Sequence, residues 1–273
     1  MRTQAEKTKR FRALHERDGA FIIPNPWDVG SARILQQMGF EALATTSVGY
    51  AYSIGKRDHG VTREEMIAHA SALTAATDIP VSADLENGYA DDARTVAETI
   101  RMAAGAGLAG CSIEDSTNRS EDPIYPMDDA VERIRAAAEA AHALSFPFVL
   151  TARCENYLHG RPDLTDTIER LQAYQDAGAD VLYAPGMSKM DDIATLVRSV
   201  DRPVNVLAGL QGVRFELATL AKAGVKRVSV GGALSRVALA AFIRAAREMR
   251  DHGTFTFVNE PITSKEIADM LGA

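Results

Sequence analysis

Cysteine is nearly absent from this chain of 273 residues, which holds only Cys111 and Cys154. Two cysteines cannot form a disulfide framework, so a reducing cytoplasm is the expected compartment. Long apolar runs are missing too: none approaches the roughly 20 residues that a membrane-spanning helix needs. The N-terminal stretch MRTQAEKTKRFRALHERDGA is too polar for the apolar segment of a signal peptide. There is no basic excess, because 30 Lys and Arg stand against 37 Asp and Glu, a formal net charge of -7. Nothing therefore forms the basic footprint that phosphate contacts with nucleic acid require. Linkers, low-complexity segments and His/Cys clusters with zinc spacing are absent as well. What remains is an ordinary globular composition, 46% hydrophobic and 25% charged.

Within it, short apolar runs alternate with longer amphipathic stretches. The runs are Phe21–Pro24, Ala42–Ser47, Val81–Glu86, Gly110–Asp115, Phe148–Arg153, Val181–Pro185, Val204–Ala208 and Arg227–Val230. Their near-continuous apolarity suits strands covered on both faces, as in a parallel sheet. Helical spacing covers Thr62–Ala76, Asp92–Ala104, Asp128–Ala143, Asp166–Ala177 and Val213–Ala223, with an N-terminal helix over Gln4–Arg17. Thr62 with Glu65 makes a capping box, and Gly39, Gly107, Gly178 and Gly224 stand where helices end. Eight β-α units in this length predict a (β/α)8 barrel. A doubly wound sheet would want a Gly-rich turn after its first strand, where this chain has Pro-Asn-Pro-Trp. The expectation is one barrel domain over 1–273, with 254–273 as a C-terminal helical extension.

Barrel chemistry sits at the C-terminal strand ends. Alternation there puts Asp84 with Glu86 on one face, Ser112 with Glu114, and Thr151 with Arg153 and Glu155. If these sets face the lumen, Asp84, Glu86 and Glu114 meet beside Arg153 and must share protons or gather a cation. Oxygen ligands with room for water suit Mg²⁺, or Mn²⁺, better than zinc. Arg153 needs an anionic partner and could be a structural ion pair with Glu114. Asp92 and Asp115 read as helix caps, and Cys111 and Cys154 as packing residues. His59, His69, His142, His159 and His252 read as surface or loop residues, of which His59, in the RDHG loop, is the one singled out.

These strand ends are also where the sequence resembles the isocitrate lyase/phosphoenolpyruvate mutase superfamily, from about Phe21 to Gly232. The matching pieces are PNPWDVGSAR (24–33), TTSVG (45–49), the Gly55–Gly60 loop, ADLENGY (83–89), SIED (112–115), TARCEN (151–156), NVLAG (205–209) and VSVGG (228–232). The resemblance implies a Mg²⁺-dependent enzyme that makes or breaks a C–C or P–C bond beside a 2-oxo or 2-hydroxy acid, through an enolpyruvate-like intermediate. It implies that Asp84 holds the metal directly, with Glu86 and Glu114 acting mostly through water, and that the loop of Asp58 reaches the metal site. Ser47, with Thr46 and Val48, would meet the substrate carboxylate and oxo oxygen. Arg153 would bind that carboxylate or the oxyanion, and Asn205 would stand on the substrate side. Arg153, Ser47, Asp58 and Glu114 are thus the expected catalytic set.

The departures narrow the activity. Lyases of this superfamily carry a Cys-containing loop after the fourth strand, and mutases expect a lysine there. Here that stretch reads STNRSEDPIYP (116–126), with no Cys, Lys or His. After the sixth strand Ala184-Pro185-Gly186-Met187 replaces a polar contact. A site with the enolate apparatus but without these acid/base groups suits substrates that supply their own leaving group. The expected activity is a Mg²⁺-dependent lyase or decarboxylase acting on a small oxaloacetate-like 2-oxo acid. The alternatives are a phosphonopyruvate-type or 2-methylisocitrate lyase-like enzyme, or a non-catalytic binding barrel. The resemblance further implies exchange of the C-terminal helix between subunits and a homotetramer built as a dimer of dimers. The alternative for that helix is that it closes its own barrel.

Overall fold

The computed structural model describes residues 1–259 and 262–272. All eight expected strands form: β1 Phe21–Ile23, β2 Leu43–Ala44, β3 Val81–Asp84, β4 Gly110–Glu114, β5 Val149–Arg153, β6 Val181–Tyr183, β7 Val204–Leu207 and β8 Arg227–Ser229. They pair in parallel in the order β1-β8-β7-β6-β5-β4-β3-β2. At the remaining seam, Ala44 N–H donates to the Pro24 carbonyl at 3.1 Å, and Asn25 Nδ2 donates to the Thr45 carbonyl at 3.0 Å. The sheet is a nearly closed (β/α)8 barrel, as the alternation predicts.

Helices follow the strands: α1 Gln4–Glu16, α2 Val29–Gln37, α3 Ser47–Ser53, α4 Arg63–Ala76, α5 Ala93–Gly105, α6 Met127–His142, α7 Leu164–Asp176, α8 Met190–Ser199, α9 Leu217–Lys222, α10 Ala233–His252 and α11 Ser264–Leu271. The capping box at Thr62 is present, and Asp92 caps α5 through the Thr95 N–H at 2.8 Å. Two expected starts move. Asp163, not Asp166, caps α7, and α6 begins at Met127 behind Pro126, so Asp128 lies inside its first turn. The expected helix over Val213–Ala223 shortens to Leu217–Lys222. Gly212 takes φ 78° and Glu216 is extended, which holds the preceding segment out of helical conformation.

The main core lies between the sheet and its helices, with Leu73, Ile100, Ile113, Leu150 and Leu171 fully enclosed. A second cluster plugs the N-terminal end, where α1 sets Phe11 and Leu14 against Phe21, Ile23, Val149 and Val181. Gly110 is required there, because a Cβ would stand 3.0 Å from the Phe11 ring and 2.4 Å from the Val149 carbonyl. Cys111 and Cys154 are buried packing residues, as expected.

α10 behaves differently from the other helices. Only Ser235 is buried along it, while Val237, Phe242 and Ile243 face outward, Phe242 at 69% exposure. The C-terminal extension continues as a 3₁₀ turn at Thr256–Asn259 and α11, which rests on α2 of the same chain. Residues 260, 261 and 273 of the expected extension lie outside the described residues. No described helix is long and apolar enough to cross a membrane.

Candidate active site

The C-terminal strand ends surround a cavity of about 410 Å³. Asp84 closes β3, Glu114 closes β4 and Arg153 closes β5, and all three side chains line it. Glu86 lies beyond the end of β3, so strand alternation does not place it. A left-handed backbone at φ 48° turns it back toward the cavity it lines. Expectation and structure agree on the position of Glu86 but not on its cause.

Arg153 sits at the centre of the charges. Its Nη1 lies 2.8 Å from Asp84 Oδ1, and its Nη2 lies 3.1 Å from Glu114 Oε2 and 2.7 Å from Glu155 Oε1. The guanidinium also lies 5.2 Å from the Tyr183 ring centroid. The expected Glu114 pair therefore exists within a wider network. Burial pushes the Glu114 carboxyl well above the usual range, although Arg153 pulls it down, and burial raises Glu86 and Glu155 as well. Around Arg153 itself, one cation stands among four acidic side chains, so this part of the cavity is acidic.

The donor set fits a hard divalent cation in its chemistry. Its oxygens come from carboxylates, and Glu86 Oε1 is buried with no hydrogen-bond partner among the described residues. The geometry without an ion is different: among the described residues no three His, Cys, Asp or Glu side chains converge as a ready-made metal cluster. Arg153 and Ser47 occupy the oxygens of Asp84 instead, Ser47 Oγ donating to Oδ2 at 2.9 Å.

Of the other expected residues, Thr46, Ser47 and Val48 line one wall at the start of α3. The Thr46 side chain is committed as the α3 cap, accepting from Gly49 N–H at 3.3 Å. Asp58 reaches the rim and accepts from the His59 N–H at 3.2 Å. His59 Nδ1 lies 3.2 Å from Glu86 Oε2, and that hydrogen bond raises the imidazole pKa. Asn205 also lines the cavity, but its amide is spoken for: Oδ1 accepts from Arg227 Nε and Nδ2 donates to Ser229 Oγ, both at 3.0 Å.

Sequence reading overlooked several neighbours. His159, read as a surface residue, lines the cavity and lies 3.1 Å from Ser116 Oγ. His69, read likewise, is buried and stacked on Tyr50 at 3.8 Å. Asp115 caps no helix. It is buried, accepting from the Glu155 N–H at 2.8 Å and the Tyr174 hydroxyl at 2.6 Å, with Arg170 at 3.2 Å. Arg227 and Arg236 add cations to the cavity wall. Arg227 left a signal, since it is a charged residue opening an otherwise apolar run; Arg236 sits on a helix and left none. Asn25 explains the Pro-Asn-Pro motif, because its Oδ1 accepts from both Val230 and Gly231 N–H at 2.9 Å and ties β1 to the end of β8.

The 116–126 loop folds on itself outside the cavity. Ser116 and Ile124 form an antiparallel bridge, and Arg119 pairs with Asp91 at 3.0 Å. The Tyr125 hydroxyl donates to Asp91, and its ring lies 4.1 Å from the Arg133 guanidinium. Neither Arg119 nor Tyr125 lines the site.

Residues 11–250 match the phosphoenolpyruvate phosphomutase family. The chain belongs to this family. A crystal structure from Burkholderia cenocepacia, provisionally described as a lyase/mutase, superposes with a TM-score of 0.96 at 61% identity, covering 99% of this chain and 97% of that one. An uncharacterized protein of Mycobacterium tuberculosis is 37% identical over 244 residues, 88% of this chain and 89% of its own. The oxaloacetate decarboxylase of Chromohalobacter salexigens is 30% identical over 257 residues, 91% of this chain and 87% of its own. As a phosphomutase-family member the chain is an enzyme of the isocitrate lyase/phosphoenolpyruvate mutase superfamily, in agreement with the motifs at its strand ends.

Proposed function

We propose that the protein is a cytoplasmic Mg²⁺-dependent lyase or decarboxylase. Its substrate is a small oxaloacetate-like 2-oxo acid, cleaved at a C–C bond next to the carbonyl. The observation that carries this reading is the acidic cavity itself, where one arginine is shared by three carboxylates and a fourth, Glu86, keeps a buried oxygen without a partner. The oxaloacetate decarboxylase relative supports the substrate class.

Asp84 would hold the ion directly, with Glu86 and Glu114 holding it largely through water; Mn²⁺ would fit the same oxygens. When bound, a divalent cation supplies Lewis-acid charge for the substrate's oxo and carboxylate oxygens. In decarboxylation the bond from C3 to the departing carboxylate breaks, and CO₂ leaves. Its electron pair remains as an enolate over C3, C2 and the C2 oxygen, and a proton then returns to C3. Arg153 supplies positive charge where that oxygen develops, once Asp84 is engaged elsewhere. Ser47, with the adjacent Thr46 and Val48, supplies short-range donors for the substrate carboxylate. One such preorganised donor typically lowers the barrier by about 2.7–4 kcal/mol. Asp58 closes the rim, and Asn205 with its partners shapes the substrate side. The folded-away 116–126 loop contributes no acid, which fits a substrate that brings its own leaving group.

The test is pyruvate release from a panel of 2-oxo and 2-hydroxy diacids with Mg²⁺ and then with EDTA. Metal-dependent release supports the reading, and silence across the panel refutes it. For assembly, the exposed apolar residues of α10 support a homotetramer built as a dimer of dimers, with exchange of the C-terminal helix as the means.

A further inference from the structure

One layer below the carboxylates the lumen holds a second cation that no acidic side chain among the described residues neutralises. Arg227 opens β8, is 5% exposed and lines the same cavity. Its Nε donates to Asn205 Oδ1 at 3.0 Å, its Nη2 donates to Thr151 Oγ1 at 2.9 Å, and its Nη1 lies 3.4 Å from His15 Nε2. All three partners are neutral. His15 is pushed down to about 3 by burial and by Arg227 itself, and its Nδ1 faces the Phe11 carbonyl at 2.9 Å, leaving Nε2 as an acceptor. The charged and acidic groups that influence Arg227 are Tyr183 and Arg153, with no carboxylate between them, and burial draws its pKa down to about 10.

A guanidinium has five N–H donors, and these contacts use three. One N–H on each terminal nitrogen is left without a partner among the described residues, which is the pattern a carboxylate bridges with its two oxygens. Buried cations are ordinarily paired. Arg153 above is surrounded by carboxylates, whereas Arg227 has none. Thr151 and Arg153 are two residues apart on β5, about 6.6 Å along the strand. Ser82, Ser112, Asn205 and Ser229 line the same cavity, where such barrels usually carry branched apolar side chains.

We propose that Arg227 is a carboxylate-binding subsite that takes the second carboxylate of a short diacid. This rests on the function proposed above for the upper level, where the 2-oxo acid end of that diacid would lie. A monoacid leaves the buried cation unpaired and is rejected for that reason.

The test is calorimetric titration of succinate and of butyrate, which lacks the second carboxylate, into the full-length protein and its Arg227→Gln variant in Mg²⁺ buffer. The expected result is at least tenfold tighter binding of succinate by the unaltered protein, falling to within about twofold in Arg227→Gln. Equal binding of the two acids by the unaltered protein, or a preference that survives Arg227→Gln, overturns the proposal. If Arg227→Gln does not fold, ¹⁵N spectra of the guanidinium nitrogens in the unaltered protein decide. Arg227 signals that move with succinate and not with butyrate support the subsite, and signals indifferent to both overturn it. An Arg227-dependent succinate preference in a protein that cleaves no 2-oxo acid would sink the proposed function while leaving the subsite standing.

Discussion

Arg153 Nη1 lies 2.8 Å from Asp84 Oδ1, joining the end of β5 to the end of β3 across the barrel mouth. The same guanidinium binds the buried Glu114 and Glu155, so one side chain keeps three carboxylates in register. A divalent ion at Asp84 would compete with Arg153 for this oxygen. The arginine would then be free to face substrate, which couples ion binding to substrate binding.

Asp84→Asn is expected to lower metal-dependent turnover by roughly 100-fold or more, since even outer-shell changes cost metal sites about 10–100-fold. The fold should survive, because Asp84 is part-buried at a strand end rather than in the core. Steady-state kinetics beside a thermal melt tests this; unaltered turnover in a folded variant removes Asp84 from the metal site.

Arg153→Met should destabilise the protein by about 3–5 kcal/mol, because it leaves buried carboxylates without their cation. The loss should depend on pH. Burial already raises Glu114, and without Arg153 the upward push is unopposed by its main counter-charge. A carboxyl whose folded pKa lies above its unfolded value stabilises the fold most at low pH and loses that contribution as pH rises through the folded pKa. Denaturant midpoints should therefore show a larger deficit at pH 8 than at pH 5. A pH-independent deficit would contradict the network.

His15 and His69 should make the protein acid-sensitive. Burial holds the first at about 3 and the second at about 4, both below the ordinary 6.5. The unfolded chain therefore takes up protons first, and stability present above pH 6.5 drains away as pH falls towards the folded values. For His69 alone the difference amounts to about 3 kcal/mol. His69→Phe keeps a ring against Tyr50 and should flatten the stability profile between pH 6.5 and 4. Parallel profiles for variant and parent would show that His69 is not responsible.

Neither thiol should react in the native state. Cys111 and Cys154 are buried, and burial raises both above the ordinary thiol range. Iodoacetamide should leave activity intact and add no mass until denaturant is present. Rapid inactivation by the reagent would place a reactive cysteine at the site after all.

Assembly should depend on the outer face of α10. Light scattering is expected to give a tetramer mass, and Phe242→Glu, at a 69% exposed position, should lower it. A monomeric mass for the unaltered chain would refute the homotetramer.

The eight strands were legible because burial on both faces imposes a pattern that any reader of the chain can see: short, nearly continuous apolar runs separated by amphipathic spacing. Asp84, Glu114 and Arg153 were legible for the same reason, as charged residues terminating such runs. Glu86 was placed at the cavity on a rule that does not apply to it, since it lies in a left-handed turn beyond the strand. Helix starts at Pro126 and Asp163 were missed because several acidic residues compete within one turn and only backbone geometry selects the cap.

By itself the sequence determined the barrel, its superfamily and the acidic strand ends, because periodicity and local motifs are properties of neighbours along the chain. Tertiary structure alone decided which charges meet. It placed Arg153 among three carboxylates, Arg227 among neutral partners, His159 at the cavity and His69 in the core, and it folded the 116–126 loop away from the site. Apart from Glu155, two residues from Arg153, these are contacts between residues tens to hundreds of positions apart, set by the stagger of strands around a closed sheet, and no local pattern encodes them.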